Sequence, residues 1–329
     1  MRRQGGFEIE NWKLSNHPIV TKALKLSCPT RLVQGDIQLD GSKSISNRAL
    51  IIRALCGEHF EIKNLSTARD TQLMQQLLAS DAEVLDAGAA GTTFRFLTAY
   101  LAANTASSRT LTGTERMKQR PVRLLVEALR KLGARIEYLE TEGHPPLQIH
   151  PHGGLNDSNR LAIPADTSSQ YLSALLMIAP TLPNGLELEL VGNLVSRPYL
   201  EMTLRMMAYF GVGHSWEGNT IQVQAGNYVP REFTVEADWS AASYHYAIAA
   251  LSKQCDLRLH GLFEESWQGD SALVEMMRAF GVETTFEGNT AHLTKKMGTA
   301  AKPFFEWDFL PCPDIAQTLA VVCGALGVQ

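Results

Sequence analysis

The chain has 329 residues, 45% hydrophobic and 19% charged, with 25 glycines and 14 prolines, a composition that excludes disordered, collagenous and disulfide-scaffold proteins. Thirty Lys and Arg against 34 Asp and Glu leave a net charge of −4, which lacks the basic excess of a nucleic-acid binder, so an anionic ligand must be met by locally concentrated cations. At about 150 residues per domain the length corresponds to about two domains, each able to bury a core without metal or disulfide staples.

The N-terminal stretch Met1 to Gly6 runs into Glu8, Glu10 and Trp12 without an apolar leader core, so no secretory signal is expected. The longest apolar run, Ala316 to Val328, is broken by Gly324 and Gly327 and falls short of the about 20 residues a bilayer span needs. A cytoplasmic protein without a membrane partner is expected. The cysteines, Cys28, Cys56, Cys255, Cys312 and Cys323, form no C-x-x-C pair and predict reduced, mostly buried thiols.

Asp40-Gly41-Ser42-Lys43-Ser44-Ile45-Ser46-Asn47-Arg48 places a lysine, an arginine and three hydroxyls at the start of a predicted helix, whose apolar stripe is Ala49, Leu50, Ile52 and Leu55. Free N–H groups and the dipole at that end favour an anion, and the two cations add to it. It is no Walker A loop, because Ser42 separates the glycine from the lysine. A helix at 73–78 leading into a strand at 82–85 follows, and then Ala89-Ala90-Gly91-Thr92, a small-residue turn that lets a ligand approach backbone amides. Arg116-Met117-Lys118-Gln119-Arg120-Pro121 puts three cations before a helix with Pro121 in its first turn, a conflict with the dipole that an anion would resolve. That helix, at 126–132, ends at Gly133-Ala134 before the strand-like Arg135 to Tyr138.

Further along, residues 153–160 read as a surface loop, and Ser168-Ser169-Gln170 opens a helix carrying Tyr171, Leu172, Leu175 and Leu176. Ser196-Arg197-Pro198 opens another. Each of these hydroxyl-rich starts, taken alone, is equally a plain N-cap. Residues 226–231 read as a second loop and a crossing point between domains, followed by a helix over 240–251 behind Asp238. Asp238 and Asp314 both sit where a cap is expected, and Asp314 is also a candidate base.

An internal repeat underlies these segments. Met206-Met207-Ala208-Tyr209-Phe210-Gly211-Val212 returns seventy residues later as Met276-Met277-Arg278-Ala279-Phe280-Gly281-Val282, and Glu217-Gly218-Asn219-Thr220 returns as Glu287-Gly288-Asn289-Thr290. Each copy predicts a helix stopped at glycine and then a hairpin turning at Gly-Asn, and the paired methionines read as core. Residues 73–85 and 126–138 read as weaker copies. Helices alternating with short strand pairs imply an α/β protein, but no G-x-G-x-x-G links a strand to a helix, which argues against one doubly wound dinucleotide-binding sheet. The nine histidines contain no H-E-x-x-H, and G-x-S-x-G is absent, so neither a metal nor another cofactor is expected.

Taken in order, Gly41 to Arg48, Ala90-Gly91-Thr92, Arg116 to Pro121, Ser168-Ser169-Gln170, Leu194 to Tyr199, Gln268-Gly269-Asp270 and Pro313-Asp314 resemble the 5-enolpyruvylshikimate-3-phosphate synthase family over residues 24–324. The resemblance implies a two-domain enolpyruvyl-transferase fold of repeated βαβαββ units, an inside-out α/β barrel. One domain would comprise 1–41 plus 237–329 and the other 42–236. It implies a monomer that transfers the enolpyruvyl group of phosphoenolpyruvate to the 5-hydroxyl of shikimate 3-phosphate.

By the same resemblance Lys43 would touch both substrates, Ser44 and Arg48 the shikimate carboxylate, and Ser168, Ser169 and Ser196 its phosphate. Gln170 would lie between the ligands, Gly91 and Arg120 would hold phosphoenolpyruvate, and Asp314 would take the 5-hydroxyl proton. Ala89 stands where the family has Asn, and Phe96 where it has Pro. The family's Lys-Glu-Thr-Asp-Arg and Asp-His-Arg motifs and its late lysine do not occur here, so the split domain is expected to be incomplete and turnover low. The alternatives are a UDP-N-acetylglucosamine enolpyruvyl transferase, disfavoured because no cysteine lies between Cys56 and Cys255, and a non-catalytic anion-binding remnant of the fold.

Overall fold

Three four-stranded sheets in the computed structural model share one strand order, each built as a parallel pair joined to an antiparallel hairpin. The structure describes residues 10–12, 23–25, 28–151, 155 and 158–329; Met1 to Gly6 and half of the loop expected at 153–160 lie outside the described residues. In the first sheet Val84–Asp86 and Arg109–Thr112 run parallel, connected by the helix Gly91–Asn104, because parallel neighbours need a crossover rather than a tight turn. The strands Arg135–Tyr138 and Leu147–His150 close it as a hairpin.

The second sheet repeats this plan. Arg160–Pro164 and Leu186–Val191 are parallel around the helix Ser169–Ile178, and the helix Arg197–Tyr209 leads to the hairpin His214–Glu217 and Thr220–Val223. The third sheet pairs Leu32–Gln38 with Gln254–His260 and adds the hairpin Glu283–Glu287 and Thr290–Lys295. Its first strand is separated in sequence from its crossover helix, Trp239–Leu251, by all the chain that forms the other two sheets. The two passages meet at a bridge between Gly41 and Ala237, flanked by Ser42 N donating to Glu236 O at 2.8 Å and Asp238 N to Asp40 O at 3.0 Å.

The seventy-residue repeat is a repeat of hydrogen bonds as well as of letters. Val212 N donates to Met207 O at 3.0 Å and Val282 N to Met277 O at 3.1 Å. Gly211 and Gly281 sit at φ of 90° and 78°, a region an L side chain enters only under strain. All four methionines of the two copies are buried, as expected. Two apolar clusters result. One gathers residues from Ile45 to Val235, and the other gathers Leu39 with residues from Ala237 to Val322.

Several expectations are corrected. The segment 73–85 is not a repeat copy: the helix Arg69–Leu78 is followed by Val84–Asp86, which opens the first sheet rather than a hairpin. Pro121 precedes its helix, which spans Arg123–Lys131, and Arg116 and Lys118 lie in a separate turn, Glu115–Lys118. Residues 226–231 do not cross between the cores. Tyr228 is buried in the first cluster with its hydroxyl donated to Met177 O at 2.8 Å, which pins that loop in place. Asp314 lies inside the short helix Pro313–Ile315, which Cys312 precedes as cap. All five cysteines are free, but only Cys255 and Cys312 are buried, while Cys28 is exposed because the turn that carries it is.

Candidate functional site

The helix Lys43–Cys56 starts where the two chain passages touch. Its first amide, Lys43 N, donates to Asp238 Oδ2, and the other oxygen of Asp238 caps the helix Trp239–Leu251. A helix from each apolar cluster therefore ends at one carboxylate. Beside it opens a cleft of about 430 Å³ lined by Lys43, Ser44, Arg48, Ser168, Ser169, Gln170, Ser196 and Asp314, eight residues that the sequence assigned to substrate. Thr92, Tyr199, Ser240 and Gln317 complete its walls.

Arg48 is the most constrained of these. It projects from the second turn of its helix, where only 2% of its surface is exposed. Nε donates to Thr203 Oγ1 at 2.7 Å, Nη2 to Ser173 Oγ at 2.9 Å and Nη1 to Ser44 O at 3.0 Å. Phe96 and Tyr199 present ring faces at 5.3 and 6.0 Å. No carboxylate pairs with it among the described residues, and burial lowers its pKa to about 10. Three of its five N–H groups are used by neutral acceptors, and the guanidinium remains a buried charge without a counter-ion.

The opposite wall is made by helix starts. Ser168 caps the helix Ser169–Ile178 by accepting Gln170 N at 3.4 Å, while Ser196, at a left-handed φ of 58°, precedes Arg197–Tyr209 with no side-chain cap bond. Its hydroxyl thus remains free for a ligand, and its strained backbone is of the kind that clusters at functional sites. Across the cleft the Tyr199 hydroxyl donates to Asp314 Oδ2. Burial, then the charges of Asp270 and Asp314, push the Tyr199 phenol far above its ordinary range, so it stays a donor.

Gly91 and Arg120 do not line this cleft; they meet each other beside it. A Cβ on Gly91 would overlap the Arg120 guanidinium, so glycine is what lets the arginine lie on the helix start. Arg95, one turn along from Gly91, donates to Gln170 Oε1 and stacks over Tyr171 at 5.2 Å, and so joins this pair to the cleft. Burial lowers the Arg120 pKa, and the charges of Arg95 and Arg116 lower it further. Tyr171 and Asp70 offset only part of this, and net repulsion among three cations marks a place for an anion. The Nε of Arg95 is buried with no partner, a donor awaiting an acceptor. Lys43 Nζ lies 3.7 Å from Asp70 Oδ2, on the side facing these arginines.

Sequence reading had not assigned Arg95, Ser173, Tyr199, Thr203, Ser240 or Asp270 to the site. Helical spacing carried a signal for some of them, since Arg95 stands four residues after Gly91, Tyr199 three after Ser196 and Thr203 four after Tyr199, all on one face. Asp270 had no such spacing, and its signal was membership of the Gln268-Gly269-Asp270 motif.

The family model describing EPSP synthase (3-phosphoshikimate 1-carboxyvinyltransferase) matches residues 28–80 and 74–326. A 3-phosphoshikimate 1-carboxyvinyltransferase from Bacteroides fragilis is 50% identical over 304 residues, covering 92% of this chain and 73% of its own length. The protein of that name from Cellvibrio japonicus is 38% identical, covering 89% and 74%. Among solved structures, EPSP synthase from Acinetobacter baumannii superposes with a TM-score of 0.74 at 19% identity, over 89% of this chain and 71% of that one. The fold is therefore the two-domain enolpyruvyl-transferase type that the motifs implied.

Proposed function

From the premise that the chain belongs to the EPSP synthase family, we propose that its cleft transfers the enolpyruvyl group of phosphoenolpyruvate to the 5-hydroxyl of shikimate 3-phosphate. The reaction proceeds by addition and then by elimination of phosphate. Together the substrates bring two phosphates and two carboxylates, about five to six negative charges. This is why a protein of net charge −4 gathers Lys43, Arg48, Arg95, Arg116 and Arg120 in one region.

Ser168, Ser169 and Ser196 hold the sugar phosphate with hydroxyls, Ser44 and Arg48 take the ring carboxylate, and Gln170 separates the two ligands. Gly91 and Arg120, with the orphaned donor of Arg95 beside them, hold phosphoenolpyruvate. Lys43 touches both substrates, and Asp314, oriented by Tyr199, accepts the 5-hydroxyl proton. Residues 42–236 act as one domain and 1–41 plus 237–329 as the other, hinged at the Gly41–Ala237 bridge, and their closure excludes water from the reacting groups. The working unit is a monomer in the cytoplasm, with neither membrane nor nucleic acid as partner.

The observation that carries this reading is the convergence of eight assigned residues, from four separated segments, on one cleft. Calorimetry with shikimate 3-phosphate alone, followed by phosphoenolpyruvate, tests it together with a phosphate-release assay. The first ligand is expected to bind by itself and the second to bind more tightly in its presence. A chain that takes up neither ligand would refute the assignment.

A further inference from the structure

Beside the cleft, Tyr199 and Asp238 form part of the wall of a second, small void of about 20 Å³ that reaches Asp270. Asp270 sits in the short helix Gly269–Ala272 and is 5% exposed. One hydroxyl, Ser240 Oγ, donates to its Oδ2, and no cation pairs with it among the described residues. Burial first, and then the charges of Asp314 and Asp238, push its carboxyl up to about 6.

The three acids differ in what holds their charge. Asp238 accepts two backbone amides, at 3.2 and 3.0 Å. Asp314 is exposed to solvent and accepts the Tyr199 hydroxyl. Asp270 has one hydroxyl and little water. The nearby cations offer it little relief, since Lys43 lies against Asp70 and Arg48 lies beyond the Tyr199 ring. Cys312, the remaining titratable neighbour, has a thiol pushed up by burial and then by Asp270 itself, so it stays neutral.

We propose that Asp270 is the charge-compensating acid of the site: when an anionic substrate enters the cleft, Asp270 takes up a proton from solvent. The inference rests on the assignment of the cleft to shikimate 3-phosphate and deepens it. An anion entering beside three carboxylates raises the cost of their charges, and the proton goes to the one whose charge is least supported. The void is large enough for one water, which needs about 10–15 Å³ and two to four polar partners. Ser42, Ser44 and Asp270 all line it, so a water held there would give the proton its route.

Proton uptake is read from the heat of binding shikimate 3-phosphate at pH 6 in buffers of different ionisation enthalpy, for the full chain and for Asp270→Asn. The ligand's own phosphate contributes equally to both, so the difference belongs to Asp270. The wild-type chain is expected to take up several tenths of a proton more per ligand than the variant, with the difference vanishing at pH 8. Equal uptake alongside intact binding overturns this inference alone, whereas no binding by wild type overturns the cleft assignment and the inference with it. Should Asp270→Asn not fold, Ser240→Ala serves instead. Loss of the one donor that favours the ionised carboxylate is expected to move the uptake curve to higher pH, and an unmoved curve counts against the proposal.

Discussion

Asp238 accepts the backbone N–H of Lys43 at 3.2 Å, although 195 residues separate them in the chain. Because its other oxygen caps Ala241, a single carboxylate satisfies the first turns of two helices that belong to different cores.

Asp238→Ala should therefore remove two caps at once. At about 1 kcal/mol for each, unfolding free energy is expected to fall by about 2 kcal/mol. Asp238→Asn, which keeps one oxygen acceptor, should recover about half of this. Urea denaturation of the three proteins decides the matter, and an alanine variant as stable as wild type would show that neither amide depends on this side chain.

Arg48 offers a separation of binding from stability. Thr203 Oγ1 donates to Tyr199 O at 2.7 Å and lies 3.0 Å from Ser173 Oγ, whose hydroxyl can donate to it, so removing the guanidinium leaves those hydroxyls paired. Replacing a buried, unpaired charge by an apolar chain of similar reach costs little. Arg48→Met is expected to melt within a few degrees of wild type yet to bind shikimate 3-phosphate about 10–100-fold more weakly, as loss of a charge-assisted bond of about 1.5–3 kcal/mol requires.

At Gly91 the expected effect falls on the other substrate. A methyl group there must displace the Arg120 guanidinium, the far end of a flexible side chain, so the fold should tolerate Gly91→Ala. The KM for phosphoenolpyruvate is expected to rise at least tenfold, with shikimate 3-phosphate affinity changed less than twofold. Equal loss of both affinities would mean that the helix start had shifted as a whole.

Asp270 also makes stability depend on pH. Its carboxyl releases its proton near 6 in the folded chain, against an ordinary 3.8, so between those values the folded state holds more protons than the unfolded one. Stability is accordingly lost as pH rises from 4 to 6, by at most about 3 kcal/mol for a shift of this size. Asp270→Asn removes the titrating group. Its stability relative to wild type should grow by up to that amount between pH 4 and pH 7, measured as the difference in urea midpoints, and a constant difference would contradict it.

The motifs that sequence reading singled out are those whose chemistry is local. Ser168 caps the helix that follows it, Gly211 and Gly281 stop theirs with the same pair of hydrogen bonds, and Gly218 and Gly288 turn the hairpins at φ of 56° and 60°. Segments 73–85 and 226–231 were misread because nothing within them says which strand they pair with. Val84–Asp86 takes its identity from Arg109–Thr112, and the 226–231 loop from the pocket that receives Tyr228.

Short-range rules of capping, turning and hydrophobic spacing act over a few residues, so residue order alone determined the helices, the seventy-residue repeat and the cationic, hydroxyl-rich turns. Only folding decided that Arg48 loses its water and gains no counter-ion, that Arg95 reaches Gln170 from the helix that Arg120 lies on, and that Asp270 is buried beside Tyr199 and Asp238. Burial and charge–charge distance are properties of segments far apart in the chain brought together, and those two quantities shift the pKa values of Arg48, Tyr199 and Asp270.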